Sequence, residues 1–277
     1  MDSVAAIRRQ VRDHHKAGTD GIKVMATGGF MSHATAPWNA QFTTEELRVL
    51  IDDAHRLGKH VAAHAHGTEG IRRLVDAGID YITHVTFVGP DGLTQFDPEL
   101  ADQIAEKGIF VDGCAPGSYP PVPNETFTPR AADLYRHGAR IVTGHDIGAV
   151  CPPSAYTFGL KQLEASGLPR AEVLIAATSR GAGAVGLAGV TGVLAAGYAA
   201  DLLVVNGDPL ASLDALDDVV EVVIEGRTFE REWLPRFDPA VRFSPPSAEV
   251  GLLARRDPRA ALMERRQRAA AHPYPRT

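Results

Sequence analysis

Lys23, His64, His84 and Asp146 are the residues of this chain whose types and placement could do chemistry together. Lys23 sits inside the apolar run GIKVM (21–25), His64 follows VAA in HVAAHA (60–65), His84 follows YIT in DYITHV (80–85), and Asp146 follows ARIVTG (139–144). Two imidazoles and a carboxylate are the nitrogen and oxygen donors that a divalent ion such as zinc accepts. Each residue also has an ordinary explanation. A strand-end histidine is more often a hydrogen-bonded structural residue, Lys23 could extend its ammonium to the rim, and Asp146 could cap a loop. The combination is harder to explain that way, because buried lysines and aspartates are rare without partners. His66, two residues after His64, would share its face on a continuing strand, yet Gly67 is placed to end that strand. A substrate-binding or supporting role and a plain loop hydrogen bond are equal readings of His66.

The elements that must position these groups are short apolar runs alternating with helical patterns, the signature of βα units on a parallel sheet. GIKVM, HVAAHA, DYITHV, GIFVD (108–112) and ARIVTG read as buried strands, and the polar candidates fall at or near their ends. In parallel α/β proteins the loops that follow the carboxyl ends of strands converge there. Between the strands, Thr43 and Glu46 have capping-box spacing and Gly58 closes that helix. Asp97-Pro98-Glu99 opens another helix that Gly108 ends, and Thr128-Pro129 repeats the pattern. After Gly186, GVTGVLAAGYAADLLVVNGDPL (189–210) and VVEVVIEGRTF (219–229) predict antiparallel strands of a small β-subdomain. The expected division is 1–187 barrel, 188–237 β-subdomain and 238–277 a tail, helical or partly disordered.

Composition narrows the partners. With 28 Lys and Arg against 34 Asp and Glu, a formal charge of −6 gives no electrostatic reason to expect nucleic acid. Neither a signal-peptide pattern nor a run of transmembrane length occurs, so no membrane is expected. The two cysteines, Cys114 and Cys151, form no metal motif or disulfide framework, which makes a cytoplasmic protein the expectation while a bridge between them stays open. No P-loop, dinucleotide fingerprint or GxSxG elbow is present. The GG of ATGGFMS reads equally as a close approach to a ligand or as a βα turn.

The runs GTDGIKVMATGGFMS (18–32), HVAAHAHGTEGIRRLVDAGIDYITH (60–84), TGHDIGA (143–149) and AADLLVVNGDPL (199–210) resemble, in order, the metal-dependent amidohydrolase superfamily. Within it the similarity is to the imidazolonepropionase-like and Xaa-Pro-dipeptidase-like branch. The resemblance implies an α/β fold, a partial (β/α)8 TIM-type barrel of about five βα units. It implies hydrolysis of a C–N bond in a small amide, cyclic amide or short peptide. Lys23 then matches a lysine that becomes a carboxylated metal ligand, His64 and His84 match metal-binding histidines, and Asp146 matches an acid that contacts metal and moves the proton of water. The implied cofactor is Zn2+ or another divalent metal.

The chain departs from the family pattern in three places. Thr83 and Val85 flank His84 where an acidic residue and a glycine are usual, and His145 precedes Asp146 where a threonine is commoner. Nothing before Lys23 supplies the His-x-His pair of a first barrel strand. The resemblance therefore implies a shortened member, with an open sheet edge at GIKVM to be covered by a homo-oligomer or a complementing polypeptide. The alternatives are a catalytically inactive relative that acts as a binding protein, and a subunit completed by another chain.

Overall fold

The computed structural model describes residues 3–29, 35–91, 94–113, 130–147 and 152–229. Its main sheet is parallel, in the order β1 (Gly21–Met25), β2 (His60–Gly67), β3 (Tyr81–Val88), β4 (Phe110–Asp112) and β5 (Arg140–Ile141). Each expected run forms a strand at its predicted place. β5 is much shorter than ARIVTG: Val142 still donates to the Val111 carbonyl at 2.8 Å, and the chain then leaves the ladder.

The helices begin and end where their capping chemistry directs. α1 (Val4–Lys16) starts at Ser3, whose hydroxyl accepts from the Ala6 amide, and ends with His14, His15 and Lys16 beside its negative pole. α2 (Thr44–Arg56) carries the reciprocal Thr43–Glu46 capping box, and Gly58 takes the left-handed conformation after it. α3 (Thr68–Ala77) follows β2 directly and stops at left-handed Gly78. α4 (Pro98–Glu106) is capped by Asp97, and Gly108 follows it in the left-handed region. α5 (Ala131–Arg136) precedes β5, while the expected Thr128–Pro129 start lies outside the described residues.

These helices pack on one face of the sheet, and the core lies between. Ile22, Val24, Val61, Ala63, Ile82, Val111 and Ile141 point into it from the strands. Leu47, Leu50, Ile71, Leu74, Leu100, Ile104 and Leu134 meet them from the helices. Strand alternation sends the intervening residues to the opposite face. On β1 those are Lys23 and Met25, both exposed, Met25 by 48 %. Among the described residues that inner face has a small apolar cluster of its own, Phe110, Val142 and Ala184 with Tyr81 beside them.

The remaining elements are α6 (Tyr156–Ala165), α7 (Arg170–Ala177) and α8 (Ser179–Ala184), then an antiparallel sheet of β6 (Leu202–Val205), β7 (Val219–Ile224) and β8 (Arg227–Thr228). The turn Leu213–Asp217 ties this sheet to α6. Lys161 bridges Asp214 and Asp217 at 2.6 and 2.5 Å, and Thr157 donates to Asp217 at 2.7 Å. On the outer side, Asp53 of α2 is only 2 % exposed and is met by Arg8 and Arg12 of α1 and by Arg56. Among the described residues no helix is long and apolar enough to cross a membrane.

Ile82 is fully buried on the central strand and faces the helices. Ile82→Ala should therefore cost about 2–5 kcal/mol of stability, from lost burial and an imperfectly collapsed cavity. Urea denaturation of the two proteins measures this; a change within error would mean that the sheet–helix core is not the main source of stability.

Candidate metal and active site

β2 brings two histidines to the inner face by simple alternation. His64 and His66 are two residues apart, and the strand runs through Gly67, so His66 remains part of it. The hydroxyl of Thr27, itself fully buried, accepts from the His66 amide at 3.0 Å, which fixes this end of β2 against the loop after β1.

His84 reaches the same cavity by a different route. Thr83 pairs with His64 in the parallel register and faces inward, where its hydroxyl accepts from the Lys23 ammonium at 3.3 Å. A regular strand would then turn His84 toward the helices. Instead His84, Val85 and Phe87 have φ of 75°, 45° and 55°, and the β2–β3 register shifts between Ala65 and Gly67. Left-handed conformations at three non-glycine residues, one of them β-branched, are a concentrated departure from strand geometry. The result is that neighbouring residues Thr83 and His84 both serve one cavity.

The three rings are crowded. Centroid separations are 4.6 Å for His64–His66, 4.5 Å for His64–His84 and 4.4 Å for the stacked His66–His84 pair. One ligand atom of each lies within 4.8 Å of the others, and all three residues are buried. The hydrogen-bond network assigns the tautomers of His64 and His66. His64 Nε2 is 3.1 Å from the Gly28 carbonyl and must donate to it, leaving the lone pair on Nδ1. Thr86 donates to the His66 carbonyl at 3.3 Å, so its oxygen accepts from His66 Nδ1 at 3.2 Å and the lone pair stays on Nε2. Gly28 can present its carbonyl because it has no Cβ: one there would lie 2.3 Å from the Ala36 oxygen.

Electrostatics keep the cluster neutral. Burial lowers the His64 pKa, partly offset by the bond to Gly28. Burial, then repulsion from His84 and His64, pushes His66 down to about 2. For His84, burial and His64 lead to about 4, with Asp146 opposing and Lys23 adding to the fall. Neutral imidazoles suit a divalent cation of intermediate softness.

Of the other candidates, Lys23 stands on the exposed inner side of β1, and its charge acts on both His64 and His84. Asp146, at φ 45° and 54 % exposed, places Oδ2 3.9 Å from His84 Nε2, longer than a hydrogen bond. His145 is buried and points elsewhere, its ring 4.9 Å from that of Tyr156; burial lowers its pKa to about 4. Two inner-face groups, Asp112 and Tyr81, escaped the sequence reading. Asp112 ends β4 and accepts from the Tyr81 hydroxyl at 2.5 Å. Its position at the end of GIFVD was the available signal, the same one that marked His64. Cys114 and Cys151 lie outside the described residues.

The chain matches the model of the amidohydrolase family over residues 1–229. It is 30 % identical over 235 residues to an ochratoxinase of Aspergillus niger, a match covering 78 % of this chain and 47 % of that protein. The crystal structure of A. niger ochratoxinase superposes with a TM-score of 0.69 at 28 % identity, covering 83 % of this chain and 55 % of that one. A Xaa-Pro dipeptidase with methionine bound in its active site gives 0.75 at 27 % identity, covering 83 % and 59 %. The chain thus spans about half the length of the curated ochratoxinase.

Folded His66, His84 and His145 take up protons only near about 2, 4 and 4. In the unfolded chain they titrate near about 6.5. Below that value the unfolded chain binds more protons, so stability is complete above about pH 6.5 and falls as pH drops through it toward 4. The melting temperature of the metal-free protein should decline between about pH 7.5 and 5.5, and His66→Gln should make the decline shallower. Equal slopes in both proteins would show that His66 is not held neutral.

Proposed function

The chain belongs to the amidohydrolase family, and from that premise we propose that it hydrolyses a C–N bond in a small amide or short peptide at a divalent metal held by its histidine cluster. The observation that carries this is the convergence of His64, His66 and His84 within 4.8 Å on one buried wall. Three imidazole donors leave a further coordination position open, the arrangement that suits catalytic zinc. Lys23 can join as a ligand only in its carboxylated form, because an ammonium has no lone pair to give. The similarity to a Xaa-Pro dipeptidase and to ochratoxinase supports an amide or peptide substrate.

When bound, the ion lowers the pKa of water and polarises a carbonyl. The chain's own residues do the rest. Asp146, the exposed carboxylate beside His84, accepts the proton of the attacking water and returns it to the leaving nitrogen. The Gly28 carbonyl and Thr86 orient the imidazoles of His64 and His66, and Thr27 holds the His66 backbone.

A second reading has its own support. Met25 and Lys23 are open to solvent, whereas catalysis favours a site that excludes water. Among the described residues β1 is paired only with β2, so its other edge is free to be covered. In the working protein a second copy or a complementing polypeptide covers it; without that cover, the cavity acts as a binding site. Light scattering tests the cover: a monodisperse single chain that binds no hydrophobic dye would count against it.

The test of the site is metal content after preparation with bicarbonate and zinc, with dipeptides and N-acyl amides as substrates. The native chain should hold about one ion, and His64→Ala and Lys23→Ala should lower affinity by about 10-fold or more. Bound metal without hydrolysis would favour the binding reading. Equal metal content in all three proteins would overturn the assignment of the site.

A further inference from the structure

Asp112 is a carboxylate only 2 % exposed, on the inner face and opposite Thr83 in the β3–β4 register. Burying a carboxylate is costly, and an apolar side chain would fill the same space without that cost. Two contacts show what Asp112 does there. Its Oδ2 accepts from Tyr81 Oη at 2.5 Å, which orients the carboxylate from the neighbouring strand. Its other neighbour is the backbone of Gly144: a Cβ at that residue would lie 2.5 Å from Asp112 Cγ and 2.7 Å from both carboxylate oxygens. The loop after β5 therefore rests directly on the carboxylate, and only glycine permits so close an approach.

Two residues further on is Asp146. Its segment is held at Val142, which donates to Val111, and at Thr143, whose hydroxyl meets that of Tyr156 at 3.2 Å. The next residue, Gly144, lies against the Asp112 carboxylate. We propose that Asp112, oriented by Tyr81, is the positioning residue for Asp146, holding the Gly144 turn where it brings the Asp146 carboxylate beside His84. This rests on the reading of Asp146 as the carboxylate that both contacts the metal and handles the proton of water. It adds a device that the metal ligands do not contain, a hydrogen bond between β3 and β4 that sets the geometry of a residue beyond β5.

The variants are Tyr81→Phe, which keeps the ring and removes the donor, and Asp112→Asn, which keeps an oxygen able to accept from Tyr81. Crystal structures of the metal-free proteins give the first readout. Tyr81→Phe should move the Asp146 carboxylate relative to His84 by more than about 0.5 Å, and Asp112→Asn should keep it within that limit. Titration with Co2+ gives the second. Tyr81→Phe should weaken Co2+ binding about 10-fold in the native background and have no further effect in Asp146→Asn. An unmoved Asp146, or the same loss in both backgrounds, would overturn the proposal in favour of a purely structural pair. Should the native chain bind no Co2+, the metal reading fails while the crystal structures still decide the positioning role. Should Tyr81→Phe not fold, Asp112→Leu, which also removes the hydrogen bond, takes its place with the same expected displacement.

Discussion

Three histidines can share one cavity only because β3 abandons strand alternation at its carboxyl end. His64 and His66 come from one side of β2 at no conformational cost, but a third imidazole from the next strand must replace a residue that alternation would send to the core. The positive φ values at His84, Val85 and Phe87 make that replacement. Conformations of this kind cost on the order of 1–3 kcal/mol each, and they persist where the surroundings over-determine them. Here the surroundings are clear: Val85 and Phe87 are fully buried, Phe87 packs against Phe96, and Thr86 is bonded to His66. The packing that stabilises the sheet thus also holds the strained end of β3 in place.

The same division of faces explains the electrostatics. The main hydrophobic core of the described residues lies between sheet and helices, so the inner face is free to carry groups that no core would tolerate. Its polar members divide into buried groups and groups at the rim. The histidines are buried and neutral, Asp112 is buried and bonded to Tyr81, and Lys23 and Asp146 sit at the exposed rim with opposite charge. Rim charges of opposite sign act on His64 and His84 in opposite directions, so neither imposes its sign on the cluster. Neutral donors are what a cation needs, whereas a protonated histidine would repel it.

Much of the fold was legible because its signals are local. The capping box at Thr43 and Glu46, the Asp97–Pro98 start and the stops at Gly58 and Gly108 depend on residues within a few positions of one another. The five strands announced themselves as short apolar runs, and the side on which His64 and His66 lie follows from a period of two once β2 is known to continue through Gly67. The orientation of His84 was not legible in this way. Its inward direction depends on backbone angles that non-glycine residues rarely adopt, and the run YITHVTFV carries no glycine to announce them. The roles of Thr27, Thr86 and Gly28 were equally hidden, since each acts on a residue of another strand and becomes visible only with the register. The length of β5 was overestimated from ARIVTG because apolar content marks burial, not pairing: Val142 is buried in the small inner cluster while the segment after it turns away.

Placement of Asp146 shows how these strands of argument combine. A carboxylate on a loop would ordinarily be free to move, and a shift of about 1 Å is enough to disable a positioned group. The segment that leads to Asp146 from β5 is instead short. It leaves the ladder one residue after β5 and meets the buried Asp112 carboxylate at Gly144. It turns through a left-handed Asp146 toward His84. Two inner-face departures from regular structure, one ending β3 and one following β5, therefore face each other across the cavity. Each is supported by a hydrogen bond from a neighbouring element, His66 to Thr86 for the first and Tyr81 to Asp112 for the second. The regular part of the sheet supplies rigidity, and its two irregular ends convert that rigidity into the spacing between a proton-handling carboxylate and a set of metal donors.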